Sequence, residues 1–248
     1  MSSTNFRGPL KKVAIAAMAT LGFGLAQADI IDFEKPVDTQ YATSFPLLGH
    51  LDQFVQGDYV IGTYSTKAGA SAGDLVGVMV DGSDVASTCF GVICPTNNST
   101  NFLAMINDGL PAITRVDNGQ FRLTSFDASF VAASGDVVLP TALLLKFVAY
   151  NGNTQVQIQD FYLPGPATDG SYSFASYSLG TAFASTNLTE VDIYAYACTT
   201  TTTCTRGLDK AQFAIDNINV TAVPEPTSAL LLALGLGAFG ALRRRTAA

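Results

Sequence analysis

The sequence predicts an all-β protein, an antiparallel β-sandwich of jelly-roll type flanked by an N-terminal signal peptide and a C-terminal hydrophobic helix. Three observations predict it. Short runs rich in Val, Ile, Phe, Tyr and Thr alternate apolar and polar residues, and none sustains a helical repeat. Gly, Asn, Asp and Pro bound these runs, as turn residues do. Of 20 acidic residues 17 are Asp, whose short side chain suits loops and caps better than helix interiors.

Eight strands are predicted, over 58–65, 75–80, 121–132, 143–150, 154–162, 172–179, 188–197 and 212–221. Between 143 and 162 the dipeptide Asn151-Gly152 marks a hairpin, because a tight turn between twisted strands favours positive φ at its centre. The stretch 86–111 is less periodic and reads as a long loop with a helical turn near 103–107. No Pro/Ser-rich linker interrupts residues 29–223, so they form one domain.

Both ends have a different character. Residues 1–12 carry Arg7, Lys11 and Lys12 and no acid; an apolar run of 13 residues follows, then Ala26-Gln27-Ala28. This is a secretory signal peptide over 1–28, with Ala26 and Ala28 as the small residues of the cleavage site. Its apolar run is shorter than the roughly 20 residues of a spanning helix. At the other end, 224–248, Pro224-Glu225-Pro226 precede an apolar segment over 229–242 and then Arg243, Arg244 and Arg245. That segment is barely long enough to enter a membrane, and the arginines would hold its end in the cytoplasm.

The order of Pro224, Glu225 and Pro226, a short hydrophobic segment and the cluster Arg243, Arg244, Arg245 resembles the PEP-CTERM sorting signal of Gram-negative bacteria that make extracellular polysaccharide. The resemblance implies a partner, an exosortase-type membrane protein that recognises the tripeptide and processes the tail, with transient residence in the inner membrane. It also implies localisation by export through the inner membrane to the envelope surface or extracellular matrix. It covers about 25 residues and concerns destination. The two prolines support it, since they cannot join a helix interior and hold the chain extended beside the membrane.

Composition excludes some roles. Residues 29–223 hold 7 basic and 19 acidic residues, a net charge of −12, which offers no field for a phosphate backbone and excludes nucleic acid as a partner. The domain opens on Ile31-Asp32-Phe33-Glu34 and closes on Gln212-Phe213-Ala214-Ile215-Asp216-Asn217-Ile218. The closing Gln-Phe-x-x-Asp is similar to a motif of one group of PEP-CTERM proteins. The two segments together resemble carbohydrate-binding modules and related jelly rolls, which implies adjacent first and last strands and a structural calcium ion held by carboxylates from both.

The residues allow that reading. In a strand Asp32 and Glu34 point to one face and Phe33 to the other. Along the closing strand Phe213 and Ile215 share one phase and Ile218 and Val220 the opposite one, which predicts a bulge near Asp216-Asn217. The expected ligands are Glu34 and Asp216, with Asp32 as a third; calcium needs six to eight oxygens, so carbonyls or water would complete the set.

Four cysteines form two close pairs, Cys89 with Cys94 and Cys198 with Cys204. In an exported protein these read as disulfides, local pairing being favoured among the three connectivities, and the absence of a nearby His argues against zinc.

No catalytic residue is assigned. Gly69-Ala70-Ser71-Ala72-Gly73 matches the G-x-S-x-G nucleophile elbow, but a strand pattern follows it where a helix is required, and the sole His, His50, lies upstream. Two roles follow from what remains. One is a non-enzymatic surface or matrix protein with weak binding to extracellular polysaccharide through Tyr162, Tyr172, Tyr177, Tyr194 and Tyr196, which also fits association with biofilm. The alternative is a secreted polysaccharide-acting hydrolase of the jelly-roll class using Glu190 and Asp192, a pair that also fits an ordinary solvated sheet face.

Overall fold

The computed structural model describes residues 28–35, 47–89, 91–133, 142–199, 203–206 and 209–224. Residues 1–27 of the expected signal peptide and the helix and arginine cluster expected over 229–245 lie outside the described residues, while Ala28, the last residue of that peptide, is the first of a strand. Fifteen strands are described, in chain order β1 (Ala28–Ile31), β2 (Leu47–Gly49), β3 (Gln53–Gln56), β4 (Tyr59–Ser65), β5 (Leu75–Asp81), β6 (Val92–Ile93), β7 (Asn101–Met105), β8 (Gly109–Arg115), β9 (Phe121–Ala133), β10 (Ala142–Asn151), β11 (Thr154–Pro164), β12 (Ala175–Ser178), β13 (Glu190–Cys198), β14 (Cys204–Thr205) and β15 (Gln212–Ala222). The only helices among the described residues are a 3-10 turn at Gly82–Asp84 and single turns at Val85–Thr88 and Thr181–Ala184.

The strands make two antiparallel sheets. One runs β12-β9-β15-β7-β5-β2, with β1 also on β15 and β6 on β9; the other runs β11-β10-β13-β8-β4-β3, with β14 on β13. The chain crosses from sheet to sheet at β2–β3, β4–β5, β7–β8, β8–β9, β9–β10, β11–β12, β12–β13 and β14–β15, as in a jelly roll. Strict alternation builds the interface: in β13 Val191, Ile193, Ala195 and Ala197 are buried while Glu190, Asp192, Tyr194 and Tyr196 face outward, half-exposed.

Phe126 of β9 joins the sheets, its ring centroid 4.4 Å from Phe147 (β10), 5.0 Å from Phe161 (β11) and 5.4 Å from Tyr177 (β12). Tyr172, buried against Phe130, likewise belongs to the core. Neither Tyr172 nor Tyr177 is therefore part of an exposed platform, contrary to expectation.

All eight predicted strands are present, within a few residues of their expected ends. Three local readings are corrected. Leu103 to Met105 belong to strand β7, and Ile106 and Asn107 to the turn after it, where a helical turn was expected. Phe102 and Ala104 pack outward under a second apolar cluster with Val80, Val131 and Ala214, covered by Phe174, Val85 and the Cys89–Cys94 loop, while Leu103 and Met105 face the main core. A strand buried on both faces shows no alternation. The centre of the β10–β11 turn is Gly152-Asn153, with Asn151 paired to Thr154, and only Gly152 takes a positive φ, +59°. At the opening the strand stops at Ile31 and Phe33 turns into the core at φ +57°, a left-handed conformation unusual for an aromatic residue. Both disulfides form as expected, Cys89–Cys94 and Cys198–Cys204.

Removing the aromatic bridge is predicted to lower stability most. Phe126→Ala should lose about 4 kcal/mol in urea unfolding, whereas replacing Cys198 and Cys204 by Ser, which opens a six-residue separation, should lose about 2 kcal/mol.

Candidate functional site

Two places in the sandwich collect polar side chains. The first lies where β15 exchanges partners. On one edge β15 pairs with β9 along its whole length; on the other, β7 pairs with Phe213–Ile215 and β1 takes over at Ile218–Thr221. Between the two the ladder slips, because Asp216 faces Asp127 and Asn219 faces Ser125, leaving Asn217 and Ile218 opposite Phe126. This is the predicted bulge, with Asn217 at φ +49°, a conformation Asn tolerates.

The bulge buries Asp216 completely. Its carboxylate accepts from Asn98 Nδ2 at 2.8 Å, Asn217 N at 2.7 Å, Asn217 Nδ2 at 3.3 Å and Thr100 Oγ1 at 3.4 Å. Asn217 Nδ2 also donates to Asp127 Oδ2 at 2.9 Å, so one amide separates two carboxylates on directly paired positions that would otherwise repel. Burial raises the Asp216 carboxyl to about 6; the Asn98 and Asn217 bonds oppose the rise and the Asp127 charge adds to it. Asn98 and Ser176, with Asp127, Asn97, Phe174 and Asn217, line an adjoining cleft of about 260 Å³.

The other two expected calcium ligands have their own partners. Glu34 Oε1 accepts from Asn101 N at 2.7 Å; Asp32 Oδ1 accepts from Glu34 N at 3.1 Å and from Gln56 Nε2. Glu34 and Asp216 thus fasten the same segment, 98–101, while Asp32 fastens the turn after β1 to β3. An ion shared by Glu34, Asp216 and Asp32 would have to displace these donors. Among the described residues no group of three or more His, Cys, Asp or Glu is placed to hold a metal ion. Asn98, Thr100 and Asp127 carried no signal in the sequence, since only the strand register brings them to Asp216.

The second place is the outward face of β11, β10 and β13. Leu144 of β10 faces Tyr162 on one side and Tyr196 on the other, and Lys146 stands between Asp160 and Tyr194. Leu144 and Val148 point away from the core yet are only 8% and 6% exposed, because their cross-strand neighbours lie over them. The Arg206 guanidinium sits 5.6 Å from the Tyr194 ring centre and 6.0 Å from that of Tyr196, within cation–π range. Lys146 Nζ binds Asp160 at 2.7 Å, and the Tyr194 hydroxyl donates to Asp192 Oδ2 at 3.1 Å. Partial burial, with Glu190 beside it, raises the Asp192 carboxyl to about 6. Of the five tyrosines expected to form a platform, Tyr162, Tyr194 and Tyr196 meet here; Tyr150 and Arg206 are additions that composition could not supply.

The Ser71 motif lies in an exposed turn before β5, where Ser71 N bonds Asp74 Oδ2 at 2.8 Å, and His50 Nδ1 accepts from Ser65 N at 3.0 Å. The His50 backbone holds this turn, its N–H donating to Asp74 O at 2.7 Å and its carbonyl accepting from Gly73 N at 3.0 Å, while the imidazole Nδ1 is engaged by Ser65.

β15, the last of the described strands, ends at Ala222. Val223 N donates to Gln120 O at 2.9 Å, and Pro224-Glu225-Pro226 come next. Residues 222–245 match the PEP-CTERM protein-sorting motif. The motif indicates export and cell-surface sorting in Gram-negative bacteria, with processing by an exosortase. No curated protein matches the chain. Solved structures similar to it include a DUF4465 family protein from Bacteroides caccae, at 11% identity and TM-score 0.46 over 84% of this chain and 97% of that one. They also include the CBM22-1 xylan-binding domain of Xyn10C from Paenibacillus barcinonensis, at 12% identity and TM-score 0.30 over 81% and 98% of the two chains. A family 11 carbohydrate-binding module from Clostridium thermocellum follows at 14% identity and TM-score 0.30, over 70% and 95%.

A raised carboxyl pKa means that the folded chain keeps a proton that the unfolded chain has released, so stability from this source falls as pH rises from about 4 to about 6. Asp192→Asn is therefore predicted to raise stability at pH 7 by about 1 kcal/mol, after allowance for solvent screening, and to leave it unchanged at pH 4. Thermal unfolding of both proteins at the two pH values measures this.

Proposed function

We propose that this is a non-enzymatic protein, exported and displayed at the envelope surface or in the extracellular matrix, whose β11-β10-β13 face binds extracellular polysaccharide weakly. The observation that carries the reading is the gathering of Tyr162, Tyr194 and Tyr196 on one outward face beside Lys146, Asp160 and Arg206. Aromatic rings supply apolar area for the flat faces of sugars, and the flanking ionic groups supply hydrogen bonds to hydroxyls. With no Trp in the chain, each ring offers modest stacking area, which fits weak binding multiplied along a polymer.

A non-enzymatic role is supported by the placement of the carboxylates. Glu190 and Asp192 stand half-buried on the same outward face of β13, and Asp192 Oδ2 accepts from the Tyr194 hydroxyl at 3.1 Å. Their neighbours Tyr150 and Tyr194 make this pair part of the polar surface of the sheet.

Sorting and binding occupy different parts of the chain in this reading. Pro224, Glu225 and Pro226 follow the last strand, where an exosortase can grip an extended segment, and cleavage there leaves the sandwich whole. The prediction is binding on a glycan array without release of reducing ends. Tyr194→Ala and Tyr196→Ala should each weaken binding about fivefold, from loss of roughly 1 kcal/mol of stacking. Release of reducing sugar that disappears in Glu190→Gln would instead establish a hydrolase.

A further inference from the structure

Asp108 and Gln212 are each 3% exposed, and each leaves one oxygen, Asp108 Oδ1 and Gln212 Oε1, without a hydrogen-bond donor among the described residues. The topology sets them together. Met105 of β7 pairs with Phe213 of β15, so the turn after β7 that carries Asp108 runs past Gln212, the first residue of β15. Both side chains grip the backbone of Asp209: its N–H donates to Asp108 Oδ2 at 3.0 Å, and its carbonyl accepts from Gln212 Nε2 at 2.8 Å. The unmatched oxygens therefore flank one residue, whose own Oδ1 meets, among the described residues, only the Lys67 ammonium, at 2.5 Å.

Every unmatched group here is an acceptor, and two of the three belong to carboxylates. Lys67 neutralises one charge and leaves the cluster at −1. Its side chain is 47% exposed, on a flexible stem that can swing into solvent. Carboxylate and amide oxygens are the donor set of a hard divalent cation, and calcium accepts backbone carbonyls and water to complete its shell. Asp216 contrasts with this, since four donors already occupy its carboxylate.

We propose that Asp108, Asp209 and Gln212 form a weak calcium site at the end of the sandwich where β15 begins, with the Lys67 ammonium seated there when calcium is scarce. The site is independent of the polysaccharide face. Binding would tie the β7–β8 turn and the segment before β15 together, so that calcium outside the cell tightens the entry into the central strand.

The test is thermal unfolding of the purified full chain in EGTA and in a calcium series, with terbium luminescence as a second readout. The dissociation constant expected for an extracellular module is about 10⁻⁴ to 10⁻³ M, and tenfold excess calcium should raise Tm by about 3 to 5 °C. Asp108→Asn and the half-exposed Asp209→Asn should abolish the rise, Lys67→Met should move it to lower calcium, and Asp216→Asn should retain it. The proposal is overturned if the unmutated chain shows no calcium-dependent rise, or if the rise survives Asp209→Asn. A rise lost in Asp216→Asn and kept in Asp209→Asn would place the ion at the bulge instead.

Discussion

The exchange of partners along β15 is the constraint on which this sandwich depends. One edge of the strand must serve β7 and then β1, and two strands cannot occupy the same length of edge. The ladder therefore has to open between Ile215 and Ile218. Opening it leaves backbone groups and a carboxylate inside the protein, where unpaired polar groups cost about 1 to 3 kcal/mol each. Asn217 in a left-handed conformation, the buried Asp216 and the donors of Asn98 and Thr100 are the solution. Glu34, from the turn after β1, binds the same 98–101 segment through Asn101. First strand, last strand and the loop before β7 are thereby joined at one point.

The two outer faces of the sandwich have diverged in consequence. Over the β15 sheet, the loop closed by Cys89–Cys94 and the ring of Phe174 cover a second apolar cluster, so β7 and the middle of β15 are sealed on both sides. The opposite sheet has no such cover among the described residues. Its outward positions carry Tyr162 and Tyr196 on either side of Leu144, with Arg206 against the rings of Tyr194 and Tyr196 and paired charges at the border. Rigid rings on a regular strand are better fixed than side chains on a loop, which suits a surface that must present the same spacing to a repeating polymer.

How much of this was legible in the residues depended on the range of the interaction that decides each feature. Strands with one buried face, such as β13, announce themselves by alternation. The phase slip between Ile215 and Ile218 located the bulge, because a bulge changes the local period of its own strand. β7 stayed hidden because burial on both sides erases the pattern. Phe33 misled because a strand period was extended one turn too far; its ring does enter the core, through a positive φ. Asp127, Asn98 and Gln56 carry no local mark, since each meets its partner across more than 20 residues of chain. The same limit sent Tyr172 and Tyr177 to the core, while the disulfides, closed over short loops, were readable at once.

In the reading proposed above, the sandwich is complete at Ala222, with β15 at its centre and the sorting signal outside it. Hydrogen exchange of the β15 amides, measured on the full chain and on a chain ending at Pro224, tests this most directly. The account predicts that Phe213 to Ile215 and Ile218 to Thr221 exchange in the slowest class in both, through global unfolding alone. Fast exchange of these amides in either chain, or protection lost with the tail, would contradict it.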